Sequence, residues 1–232
     1  MHARILPFYL VCDESYSMSD HLDVVRDSLR EVHDTVRSDP AARRHTRLCL
    51  IGFSAEARVI TPLSQRWDQT ADFTFQPNGG TNFAAAFTLL RRTIDDDVAE
   101  LTAAGHDVLR PVVFFLSDGQ PTDTAWPHAH ARLTDPGWPA RPRVVAFGVG
   151  DADVATISRV GSFKAYLGNG RAGTGAAGTT AALRQCVRAL ATTMVRTGAA
   201  ITVRLDPAEL AGFTEISSAL STSDPTFVHT AG

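Results

Sequence analysis

An apolar run, Ile5 to Val11, is followed at once by Cys12-Asp13-Glu14-Ser15-Tyr16-Ser17-Met18-Ser19, and this junction constrains the fold more than any other stretch. The run has the length and residue types of a strand buried on both faces, as in parallel sheets covered by helices. An acid and alternating hydroxyls therefore begin where a core strand leaves the sheet. Spaced two apart, Asp13, Ser15 and Ser17 can turn a carboxylate and two hydroxyl oxygens toward a common point in a curled loop. Hard divalent cations, Mg²⁺ above all, take such oxygen donors. The same residue types also form turns and helix N-caps, and an amphipathic helix starts near Ser19 or Asp20. On this stretch alone, capping turn and metal loop stand side by side.

Two distant segments bear on that choice. Pro111 to Leu116 is another fully apolar strand, and it ends in Ser117-Asp118-Gly119-Gln120-Pro121-Thr122-Asp123, which leaves Asp118 at the strand's C-terminal end. Asn78-Gly79-Gly80-Thr81-Asn82 precedes a long helix marked by Phe83, Phe87, Leu90, Ile94, Val98 and Leu101, with Thr81 at its N-terminal edge. Strands and helices alternate along most of the chain: a helix over about 20–37, a strand over 46–53, a strand over 57–63, the long helix, the strand at 111–116, a short helix over about 124–133 and a strand over 144–149. A small helix around Ile157 and a final strand over 163–167 follow. This is an α/β pattern: a doubly wound, mainly parallel sheet with helices on both faces. The connection Ser54-Ala55-Glu56 is too short for a crossover, so 57–63 is expected as one antiparallel edge strand. In such sheets ligands bind beyond the C-terminal strand ends, where strand order reverses. Asp13, Ser15, Ser17, Thr81 and Asp118 are thus delivered to one place, a convergence that independent capping turns do not predict.

Other features carry less. Gly52-Phe53-Ser54-Ala55-Glu56 lacks the last glycine of a nucleophile elbow and precedes a hairpin. Gly168-Asn169-Gly170-Arg171-Ala172-Gly173 spells G-x-G-x-x-G, but it comes late in a long loop with no acid at the required distance, so it reads as a linker. His128 and His130 lie two apart on a short helix, not at the i, i+4 spacing of a metal pair, and read as solvated or partner-facing. Cys12, Cys49 and Cys186 sit in apolar segments as reduced core residues. A net charge of −3 gives no footprint for nucleic acid. The start of the chain carries no signal peptide and no run reaches the length of a membrane span, so the expectation is a cytoplasmic protein. From Thr197 the composition turns small and polar, apart from the strand-like Ile201 to Leu205. The expected organisation is a domain over residues 1–196 and a partly ordered tail over 197–232.

Together, Asp13-x-Ser15-x-Ser17, Gly80-Thr81 and Ser117-Asp118-Gly119 resemble the metal-ion-dependent adhesion site (MIDAS) of von Willebrand factor A (VWA) domains, over about residues 5–196. The resemblance implies a VWA (Rossmann-like) fold and a bound Mg²⁺, with Mn²⁺ or Ca²⁺ as alternatives. Ser15 and Ser17 would coordinate directly, Asp13 and Asp118 largely through waters, and Thr81 directly or through water. Leu6-Pro7, Arg37-Ser38-Asp39-Pro40 and Asp118 to Asp123 further resemble the bacterial tellurium-resistance TerY group, which is intracellular and associated with kinases and phosphatases of stress-response systems. The family usually has a small residue in place of Glu14 and often glycine in place of Tyr16. The function expected is metal-dependent protein docking on a partner's Asp or Glu, without turnover. Two rivals stand beside it. One is a Mg²⁺-dependent phosphatase or phosphotransferase of haloacid-dehalogenase type, which would want an acid at position 15 and a placed lysine, whereas Lys164 is the sole lysine. The other is a structural module whose site is closed by its own tail.

Overall fold

The apolar runs become the central strands of one sheet in the computed structural model, which describes residues 3–63, 67, 73–168, 176–200, 205 and 207–217. The strands are β1 (Arg4–Asp13), β2 (Thr46–Phe53), β3 (Ala57–Thr61), β4 (Asp107–Val108), β5 (Val112–Ser117), β6 (Arg143–Gly148), β7 (Lys164–Gly168) and β8 (Phe213–Glu215). Their order is β3-β2-β1-β5-β6-β7-β8, with β4 beside the start of β1. The inner strands run parallel. From β1 the chain winds outward to β2 and β3, then returns to lay β5 on the other side of β1, so strand order reverses between β1 and β5.

The expected antiparallel edge is present in β3. A second one, β8 on β7, was not expected. It comes from the stretch read as a tail, and the helix before it runs to Ala200, beyond residue 196. Three residues with a single buried apolar side chain, Phe213, leave no periodic signal; pairing with β7 and the ion pair Lys164–Glu215 hold them there. The strand-like Ile201–Leu205 and the glycine-rich loop after Gly168 lie outside the described residues, Leu205 apart.

Side chains alternate across the strands and feed two apolar layers. Leu6, Phe8, Leu10, Phe114 and Phe147 meet α1 (Leu22–Ser38), α2 (Pro40–His45) and α6 (Ala176–Ala200) on one face. Tyr9, Val11, Ile51, Phe115 and Ala146 meet α3 (Phe83–Ala103), α4 (Trp126–Leu133) and α5 (Val154–Val160) on the other. Each fully buried large apolar side chain contributes about 1.5–3 kcal/mol. Strands buried on both faces are therefore rigid anchors for the loops at their ends. The three cysteines are free and buried, as expected.

Local departures have local causes. The chain after Ser15 continues as a 3₁₀ turn, Tyr16–His21, closed by Met18 N–H donating to the Ser15 carbonyl (2.9 Å). Helix α1 then starts at Leu22 with no side-chain cap, so neither Ser19 nor Asp20 caps it. Arg43, Arg44 and His45 form the last turn of α2, whose N-terminus is capped by Asp39 accepting from Ala42 N–H (2.8 Å). His130 is not solvated. It shares a face with Trp126 and Leu133 at helical spacing, packs edge-on against Phe87, and donates from Nε2 to the Val160 carbonyl (3.0 Å). Burial lowers its pKa, against the raising effect of the Val160 hydrogen bond.

Candidate metal centre

Asp13 is the last residue of β1 and is completely buried. Its carboxylate is fixed from two sides. Oδ1 accepts the Ser15 backbone N–H (2.8 Å), which curls the loop back on itself, and Oδ2 accepts the Ser117 hydroxyl (2.6 Å) from the end of β5. Ser117 was not assigned a role from the sequence. The signal was its place at the end of a core strand that neighbours β1, where a hydroxyl can only meet what the adjacent strand end presents.

The loop then presents hydroxyls in series. Ser15 Oγ lies 3.1 Å from Ser17 Oγ, and Ser17 Oγ donates to Asp118 Oδ1 (3.0 Å). A direct chain of polar contacts thus runs from the β1 loop to the β5 loop across the strand-order reversal. Thr81 reaches the same place: a Cβ built on Gly119 would stand 3.5 Å from Thr81 Oγ1 and 3.9 Å from Asp13 Oδ2. The structure brings together all five residues singled out from the sequence, Asp13, Ser15, Ser17, Thr81 and Asp118.

Thr81 is held by backbone as much as by side chain. Gly80 takes φ +86°, a left-handed conformation that glycine adopts without strain. Thr81 N–H donates to Thr122 Oγ1 (3.1 Å), and Thr122 N–H returns to the Thr81 carbonyl (2.9 Å). Asn82 caps α3 through Ala85 N–H (2.9 Å). Asp123 accepts from Ala84 N–H (3.3 Å) at the start of α3 and from Trp126 N–H (2.7 Å) at the start of α4, so one carboxylate joins both helix ends beside the site.

Electrostatics favour a cation here. Burial pushes the Asp13 carboxyl up to about 6, against the lowering effect of the Ser117 and Ser15 donors. Asp118 is also raised by burial, against the Ser17 hydroxyl, with Asp151 raising it further and His21 lowering it. The donors are two carboxylates and three hydroxyls, and among the described residues no group of three or more His, Cys, Asp or Glu side chains is placed to hold a metal ion. That set fits a hard, oxygen-seeking divalent ion and not a thiolate or imidazole site.

The two residues that depart from the family pattern behave differently from each other. Tyr16 is 69% exposed beside the site, its ring against Gly79. Glu14 is 2% exposed, and its side-chain hydrogen bonds go to residues outside the ligand cluster. Its Oε1 accepts from Arg58 Nη2 (2.8 Å) and Gln76 N–H (2.6 Å). Burial raises its pKa, against the lowering pull of Gln76 N–H and Arg58.

Comparison with known proteins gives the same picture. Residues 8–120 match the family model of the von Willebrand factor type A domain, a stretch that contains all five residues of the cluster. No curated protein matches the chain. Among solved structures, a von Willebrand factor type A protein from Catenulispora acidiphila is 16% identical with a TM-score of 0.60, over 83% of this chain and 43% of that one. The pilus adhesin SpaC from Lactobacillus rhamnosus GG is 13% identical with a TM-score of 0.61, over 85% and 31%. Proximal thread matrix protein 1 from the mussel byssus, solved with a zinc-occupied MIDAS motif, is 17% identical with a TM-score of 0.51, over 69% and 42%. This chain therefore spans less than half of each of these structures. Strand order, the match over residues 8–120 and the shared fold agree on the architecture of a von Willebrand factor type A domain.

Proposed function

We propose that this domain is a metal-dependent protein-docking module in which Asp13, Ser15, Ser17, Thr81 and Asp118 hold a Mg²⁺ ion, with Mn²⁺ or Ca²⁺ as substitutes. The observation that carries the reading is the contact chain Ser15–Ser17–Asp118, with Thr81 and Asp13 beside Gly119, since three segments far apart in sequence supply one oxygen cluster. Two carboxylates offset a divalent charge. The bound ion would supply an electrophilic position for a carboxylate oxygen from a partner's Asp or Glu. Exposed Tyr16 adds an aromatic contact at the rim.

The role is binding without turnover. Lys164, the one lysine that phosphotransferase chemistry would need, engages Glu215 on the β8 edge, away from the cluster. The motif likeness to the TerY group supports a cytoplasmic bacterial stress-response setting, with a kinase or phosphatase of the same system as partner. Among the described residues no helix is long and apolar enough to cross a membrane.

Titration calorimetry with Mg²⁺ tests the site. Asp13→Ala and Asp118→Ala should each weaken binding at least tenfold and abolish Mg²⁺-dependent capture of the partner. Unchanged affinity in both variants refutes the site, and phosphatase turnover lost in Asp13→Asn refutes the non-enzymatic role.

A further inference from the structure

Glu14 is a buried carboxylate next to a proposed ligand, yet none of its described contacts is to the ligand cluster. Its position is set by the edge of the sheet. Arg58, on β3, donates from one nitrogen to Glu14 Oε1 (2.8 Å) and to the Thr74 carbonyl (3.0 Å). Gln76 N–H donates to the same Oε1 (2.6 Å). The Glu14 backbone adds two more ties: its N–H donates to the Phe53 carbonyl (2.7 Å), and its carbonyl accepts from Asn78 N–H (3.0 Å). Ser15 and Asn78 form a parallel bridge immediately beyond. Gly52 supplies the floor, because a Cβ there would lie 2.2 Å from Glu14 Oε2 and 2.5 Å from its Cδ.

Three segments meet at this one side chain. They are the loop that carries Asp13, Ser15 and Ser17, the β2–β3 hairpin, and the connection from Thr74 to Gly80 that delivers Thr81. A carboxylate with two acceptor oxygens and a guanidinium with a rigid fork of donors suit such a junction, since both hold several partners at fixed angles. We infer that Glu14 and Arg58 form a positioning clamp that fixes the hydroxyl loop relative to the Thr81 segment, and so preorganises the metal site from outside its ligand shell. The clamp also matches the charge of Glu14 with Arg58, leaving Asp13 and Asp118 as the carboxylates available to an ion.

This inference rests on the metal-docking reading, and the experiment separates the two. Mg²⁺ affinity is measured by calorimetry on the full chain for wild type, Asp13→Ala, Glu14→Ala, Arg58→Met and Arg58→Lys. Amide hydrogen exchange of residues 74–80 is followed in the metal-free protein. Glu14→Ala and Arg58→Met should weaken Mg²⁺ at least tenfold and speed exchange at Gln76 and Asn78, while Arg58→Lys recovers most of both. Arg58 is on a partly exposed edge, so Arg58→Met keeps the test alive if Glu14→Ala does not fold. Wild-type binding that Asp13→Ala abolishes but Arg58→Met leaves within twofold overturns the clamp alone. Affinity lost with exchange unchanged also overturns it, because charge and not position would then be at work. A wild type that binds no Mg²⁺ overturns both readings.

Discussion

The sheet ends in an antiparallel strand on each side, and each end strand is tied inward by an ion pair, yet the two edges do different things. At β3 the pair is Arg58–Glu14, with the carboxylate almost wholly buried in the loop that also carries Asp13 and Ser15. At β8 it is Lys164–Glu215, with the carboxylate on the end strand itself and 42% exposed. Ser217 Oγ accepts Ala165 N–H (2.8 Å), and Ile216 N–H donates to the Ala165 carbonyl (2.8 Å), so the β8 edge is a self-contained stitch. The same chemistry closes a sheet at one end and braces a site at the other. What decides is which segment owns the acid.

A glycine under each edge offers the sharpest way to break that comparison. A Cβ on Gly52 would drive into the buried Glu14 carboxylate, which is held by Arg58 and Gln76 and has nowhere polar to go. Gly52→Ala should cost about 3 kcal/mol, the scale of a disrupted buried pair, and remove Mg²⁺ binding with it. A Cβ on Gly212 would meet Gln185 Oε1 at 2.2 Å, the far end of a flexible side chain that accepts Gly212 N–H (3.0 Å). Gly212→Ala should cost about 1 kcal/mol, one hydrogen bond, with Mg²⁺ affinity unchanged. Urea unfolding and calorimetry on both variants measure this, and equal effects on metal affinity would erase the distinction.

The β8 edge gives a milder test of its own. Lys164→Met removes the ion pair but keeps the apolar stem of a side chain that is mostly buried. Because Glu215 is solvent-accessible, the loss should be about 0.5 kcal/mol and should shrink further in high salt. A drop as large as that of Gly52→Ala would mean that β8 braces the domain as strongly as β3 does.

The asymmetry also marks what could be read from the sequence. Apolar strands announce themselves by composition, so β1, β2, β5 and β6 were legible, and with them the strand ends where Asp13 and Asp118 sit. Convergence of Thr81 followed from topology alone. Glu14 was not legible, because its fate depends on Arg58 across a hairpin and on Gln76 in a segment without periodicity; burial of a charge is decided by partners that sequence spacing does not reveal. β8 was missed for a related reason, as it is a strand by pairing and not by pattern. His130 was misread because its two-residue spacing from His128 was weighed, and its four-residue spacing from Trp126 was not.

A third carboxylate, midway between the edges, pairs with no cation among the described residues and separates compensated from uncompensated burial. Asp97 on α3 accepts the Tyr9 hydroxyl (2.9 Å) from β1, and burial pushes its pKa up to about 6, against the lowering effect of that donor. Glu100 and Asp96 on the same helix raise it further, and Asp97 in turn disfavours ionisation of the buried Tyr9 phenol and Cys49 thiol. A carboxyl whose pKa is raised on folding binds its proton more tightly in the native state. The stability this confers is complete below about 3.8 and is lost as pH climbs through about 6. Asp97→Asn keeps an acceptor for Tyr9 and removes the ionisation. The variant should match wild type below pH 4 and exceed it at pH 7.5 by a few tenths of a kcal/mol, the shift being discounted for a partly exposed group. Thermal unfolding across that range checks it. A gain that persists at low pH would trace to packing, whereas a gain that grows between about pH 4 and 6 and then levels off shows that burial without a paired cation is the cost that Arg58 relieves at Glu14.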